Sequence, residues 1–157
     1  MICNGCGIII WAVKFSNFSI FKFPIFMRRY MMVFASVLGA LAVISGAFLA
    51  HQLKRQMPPA AVEVYETAVR YQFYHVFALL TAGILYKRIP SSWILRAGVC
   101  FIAGIILFSG SLFAISMLMK SGTAVPFVLG ICTPLGGLSL IMGWIFLTIA
   151  LWRGRGS

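Results

Sequence analysis

The sequence predicts an all-α integral membrane protein, with four transmembrane helices in an up-down bundle and both termini cytoplasmic. Three observations carry that expectation. Of 157 residues, 62% are hydrophobic and only 10% are charged, against the roughly 25% a soluble domain needs to cover its surface. Mean hydropathy is +1.02. The apolar residues fall in long uninterrupted stretches of the kind a bilayer core of about 30 Å requires. Disorder is excluded, because so apolar a chain does not stay solvated. Thirteen Lys and Arg against two acids give a net charge of +11. In a soluble chain that excess would suggest nucleic acid, but the sequence around the charges is too apolar, so no nucleic-acid partner is expected.

Four spans follow in order, at about 30–50, 69–88, 93–119 and 134–152. The first and fourth carry no charge before their terminal residues. The third has Arg96 near its start, where a long side chain can snorkel outward. The second is apolar from Phe73 to Tyr86 and reaches spanning length only by drawing Val69 to Gln72 into the interface. With the amino terminus inside, Lys14, Lys22, Arg28, Arg29, Lys87, Arg88, Arg96, Arg153 and Arg155 lie on the inner side. Lys54, Arg55, Arg70 and Lys120 lie outside. Nine positive residues against four favour both termini in the cytoplasm.

Short connections make consecutive helices neighbours. Pro58-Pro59 suits a helix start, because proline loses nothing at a first position whose N–H has no helical partner. Pro90 marks the next turn. Thr133 reads as the N-cap of the last helix, with Pro134 at its first position. Residues 1–26 form a leader that mixes apolar runs with Asn4, Lys14, Asn17 and Lys22. It reads either as a mis-assigned start ahead of Met27-Arg28-Arg29 or as an interfacial helix, while residues 27–157 form the single transmembrane domain.

Between lipid-solvated helices, close backbone approach replaces the hydrophobic effect as the driving force. Ala35, Gly39, Ala42, Gly46 and Ala50 make a stripe about 80° wide on the first helix at 100° per residue. Gly136, Ser139 and Gly143 repeat the idea on the fourth. Gly39, Gly46, Gly136 and Gly143 are therefore the expected helix-packing positions.

Ionisable groups at membrane depth are functional candidates by default. Here His51, Glu66, Arg70 and His75 form the candidate polar cluster. Glu66 and Arg70 have i, i+4 ion-pair spacing, and His51 ends the first span on the same membrane side. His75 lies about 180° round the helix from Glu66. The cluster could serve a proton or ion relay, or clasp helices together near the headgroups. The second reading is the more economical, since the cluster lies near the interface and the other spans hold no acid. A haem between the histidines would need equal depth, and His51 is too close to the surface, so no cofactor is expected. Cys3 and Cys6 form a lone C-x-x-C without a second pair or a nearby histidine, a weak signal for metal or redox chemistry. Cys100 and Cys132 read as small apolar residues. No metal site, nucleotide loop or nucleophile triad stands out, and no catalytic residue is assigned.

Several strings occur together and in order: Gly46-Ala47-Phe48-Leu49-Ala50-His51-Gln52-Leu53, Tyr65-Glu66-Thr67-Ala68-Val69-Arg70-Tyr71-Gln72-Phe73-Tyr74-His75, Phe108-Ser109-Gly110-Ser111-Leu112, Thr133-Pro134-Leu135-Gly136-Gly137 and Gly143-Trp144. Over about Met31 to Trp152 the sequence resembles the YgdD/YwdK-type family of small multi-pass membrane proteins of unknown function. It departs from that pattern at Leu49 and Gln52, where the family often has glycine. The resemblance implies a four-helix inner-membrane protein and brings no catalytic or binding residues. The expected role is a structural or accessory helical module, packing with itself or in a larger membrane complex. The alternative is a small ion- or proton-coupled transporter or channel built on the polar cluster.

Overall fold

The computed structural model describes residues 6–154, with side chains from Met27 onward. The Cys3–Cys6 pair and the reading of residues 1–26 as a leader lie outside the described side chains. Among the described residues all regular structure is helical. Helix α1 spans Cys6–Phe48 and passes into a π-helical segment, Leu49–Leu53, in which Lys54 N–H bonds Leu49 O at 3.0 Å. Helix α2 spans Pro59–Leu85. Helix α3, Ser92–Gly104, continues through a second π segment, Ile105–Ser109, into α4, Gly110–Lys120, as one rod. Helix α5 spans Phe127–Arg153.

Three of these rods are long and apolar enough to cross a membrane: Met27–Leu53, Ser92–Lys120 and Phe127–Arg153. Helix α2 has the same 27 residues as α5, about 40 Å at 1.5 Å per residue. Glu63, Glu66, Arg70, Gln72 and His75 in its first two-thirds make it the polar member of the set.

The turns place the helix starts. Pro58 is extended and Pro59 opens α2, as the Pro-Pro pair predicts. Ser91 caps α3, its hydroxyl accepting from Trp93 N–H at 3.2 Å. At the α4–α5 turn Gly122 has φ +68°, a conformation only glycine adopts without cost. The sequence expectation for α5 needs correction here. The helix begins at Phe127 after the extended Pro126, and Pro134 lies inside it. Thr133 is not a cap: its hydroxyl donates to Leu129 O at 3.1 Å, an ordinary mid-helix back-bond. Pro134 has no N–H to give the Gly130 carbonyl four residues before it, so one hydrogen bond of the helix is missing there.

Helix α2 packs on α1 and on the α3–α4 rod, and α5 packs on α3 and α4, while α1 and α5 have no extensive contact with each other. The helices therefore pack as chain-order neighbours, with α1 and α5 as flanks. The main core joins Met31 and Ala35 of α1 with Val76, Leu79 and Ala82 of α2, Ile94 and Phe101 of α3, and Leu140 and Leu147 of α5. A smaller one lies beside the α1–α2 loop, around Leu53, Met57, Ala61 and Tyr65. Tyr65 meets Phe113 of α4 edge-on at 4.8 Å. The outward faces of α1 and α5 are apolar, from Val37, Ile44 and Phe48 to Leu138, Ile141 and Trp152. Water would penalise surfaces of that extent, whereas lipid solvates them.

Candidate functional site

The end of α1 and the first half of α2 enclose an open groove of about 500 Å³, with Gly46, Leu49 and Val69 among its apolar lining and Lys54, Glu66 and Arg70 as its charges. The π segment carries the chain over to Lys54, and Lys54 Nζ reaches Glu66 Oε1 at 3.7 Å. Glu66 thus pairs with the loop lysine, and the i, i+4 pair with Arg70 expected from the sequence does not form. Both partners are well exposed, so the pair contributes at most about 1 kcal/mol. Arg70 is exposed and has no ion-pair or hydrogen-bond partner among the described residues.

His75 lies on the opposite face of α2, 7% exposed. Its Nδ1 contacts Tyr71 O at 2.8 Å, and because a carbonyl only accepts, Nδ1 carries the proton. The ring stacks on Tyr71 at 6.0 Å, lies 6.0 Å from Phe101 of α3, and meets Trp144 of α5 edge-on at 6.3 Å. His51 is exposed and does not line the groove. Of the four candidate residues, then, only Glu66 and Arg70 share a site. The two histidines do not face a common region, because the half-turn between Glu66 and His75 sends His75 towards α3 and α5.

The packing glycines divide in two. A Cβ at Gly39 would lie 3.4 Å from Val76 Cγ1 and one at Gly46 3.6 Å from Val69 Cγ1, ordinary van der Waals distances. One at Gly136 would lie within 2.8 Å of Phe108 Cα, and one at Gly143 2.6 Å from the Phe101 ring. Gly98 and Gly104 of α3 were not marked by the sequence, yet they are as tightly met, by Met31 and Leu140.

Polar ties cross the same seams. Gln72 Nε2 donates to Leu38 O at 2.8 Å between α2 and α1. Ser139 Oγ donates to Cys100 O at 2.9 Å between α5 and α3, and Ser111 and Thr133 hydroxyls meet at 2.7 Å between α4 and α5. Sequence reasoning missed Gln72; the signal available was an amide at the edge of the apolar run from Phe73 to Tyr86, where an unpaired polar side chain is costly.

Residues 45–137 match the family described as "Protein of unknown function (DUF423)". The UPF0382 membrane protein YwdK of Bacillus subtilis is 34% identical over 123 residues, covering 78% of this chain and 95% of that protein. The UPF0382 membrane protein SAB0533 of Staphylococcus aureus is 40% identical over 126 residues, covering 76% and 96%. The UPF0382 inner membrane protein YgdD of Escherichia coli K12 is 33% identical over 125 residues, covering 80% and 91%. No solved structure matches. With its apolar helices and relatives that match along nearly their whole length, the chain belongs to the DUF423 (UPF0382) family of multi-pass membrane proteins of unknown function.

Proposed function

We propose that the protein is a non-catalytic, four-span helical module with both termini cytoplasmic, acting as a structural or accessory component through self-association or within a larger membrane complex. The observation that supports this reading is how the polar groups away from the loops are used. Gln72, Ser139, Ser111 and Thr133 each bond a neighbouring helix, and His75 is enclosed by rings on the side of α2 away from the charged groove. Groups spent on helix ties and split between two faces do not line a continuous polar route, which a relay requires. Helix α2 counts as the fourth span because it packs between α1 and the α3–α4 rod, where neighbouring helices rather than lipid meet its deeper polar residues, Gln72 and His75.

The reading is tested by purifying the tagged protein from its native membrane and measuring mass and composition. A homo-oligomer or a stoichiometric partner is expected, and a partnerless monomer would sink the module reading. A reporter fused after Ser157 should be found in the cytoplasm, and an external reporter overturns the topology. The groove favours a second reading as a small transporter. In that case Glu66→Gln abolishes a pH-dependent flux in proteoliposomes while folding persists, and no flux from the unmodified protein ends the idea.

A further inference from the structure

We propose that the α1–α2 groove binds the phosphodiester of an anionic glycerophospholipid, with Arg70 as its principal ligand and Lys54 as a second cation. The inference rests on the membrane setting alone, not on the accessory role.

Arg70 is an exposed cation with no partner among the described residues, and it does not stand in the loop. It lies on α2 one turn beyond Glu66, about 6 Å further from the helix start. The next residues on its own helix face, Tyr74 and Phe77, are 57% and 60% exposed and aromatic. The guanidinium therefore sits where the surface changes from charged to apolar. At such a boundary an unpaired charge is expensive, and a lipid phosphate is the anion that a bilayer always supplies at that level. A guanidinium fork also matches two phosphate oxygens at once.

The groove has the shape and charge for the rest of the lipid. Gly46 leaves room on the α1 side, where even a Cβ would stand 3.6 Å from its nearest neighbour, Val69 Cγ1. Leu49 and Val69 offer apolar surface beside the charges, suited to glycerol and the first methylenes. Lys54 and Glu66 cancel as a pair, so with Arg70 the groove carries one net positive charge. A headgroup with a single net negative charge neutralises that set, whereas a zwitterionic one leaves its ammonium beside two cations. The geometry therefore favours phosphatidylglycerol over phosphatidylcholine.

The test uses the full chain in nanodiscs containing equal amounts of those two lipids, with retained lipid quantified by mass spectrometry after release. Phosphatidylglycerol enrichment is expected. Arg70→Gln should lower it about tenfold, the loss of one charge-assisted contact. Lys54→Ala, which removes the net charge by freeing Glu66, should lower it severalfold. Arg55→Gln, a loop cation outside the groove, should leave it unchanged, and thermal unfolding in detergent should show all variants folded. Enrichment that survives Arg70→Gln overturns the proposal, as does an equal loss with Arg55→Gln, which would mean diffuse surface charge. Displacement of the lipid by millimolar inorganic phosphate would also overturn it, because the site would then take free phosphate. None of these outcomes bears on whether the protein has a partner, so the proposed role stands or falls separately.

Discussion

In the seam between α1 and α2, the glycines of α1, Gly39 and Gly46, leave room, although Gly83 of α2 lies close against Met32. In the seam between α5 and the α3–α4 rod, small residues are filled to the limit. Gly39 and Gly46 stand at ordinary van der Waals distance from valines, and the bond from Gln72 to Leu38 O crosses beside them. Gly136 lies against the Phe108 backbone and Gly143 against the Phe101 ring, with bonds from Ser139 and between Ser111 and Thr133 alongside. A glycine-rich stripe thus has two uses. Against backbone or a buried ring it sets the helix separation, and at Gly46, beside Val69, it lowers the wall of a groove.

The largest test of this difference is Gly136→Ala. Its methyl would strike the main chain of Phe108, which cannot step aside, so about 3 kcal/mol of stability should be lost in detergent unfolding. Gly143→Ala should cost about 2 kcal/mol, because a ring can shift where backbone cannot. Adding Phe101→Leu should recover part of that loss, and full additivity of the two would break the explanation. Gln72→Leu should cost about 1 kcal/mol, since Leu38 O also has its own helical partner to rely on. At the small end, Gly39→Ala and Gly46→Ala should be neutral or raise stability by about 0.5 kcal/mol, from helix propensity alone. A loss at Gly39 as large as that at Gly136 would erase the distinction between the seams.

Element type was legible throughout, because spans this apolar leave little choice but helix. The start of α2 was legible too, since Pro58-Pro59 admits few alternatives. The start of α5 was not: Pro126 and Pro134 both carry the same N-terminal signal, and only the neighbouring chain shows that Thr133 meets Ser111 from within the helix. Helical angle correctly sent His75 away from Glu66, but angle on one helix cannot say which rings wait on the other side. The partner of Glu66 was missed for a related reason. Spacing along α2 offers Arg70, whereas Lys54 arrives from a turn whose path depends on a π segment that leaves no plain mark in composition.

The two π segments also bear on how the chain tolerates changes of length. Each packs one more residue into a turn than an α-helix would, so everything beyond it is set round by about 100°. Deleting a single residue at the start of Ile105–Ser109 would remove that surplus and restore α-helical winding, so that α4 keeps its facing and Ser111 its contact with Thr133. Helix α2 has no such surplus residue. A deletion between Tyr65 and Gln72 would turn one half of it by about 100° against the other, so that the Tyr65–Phe113 and Gln72–Leu38 contacts could not both form.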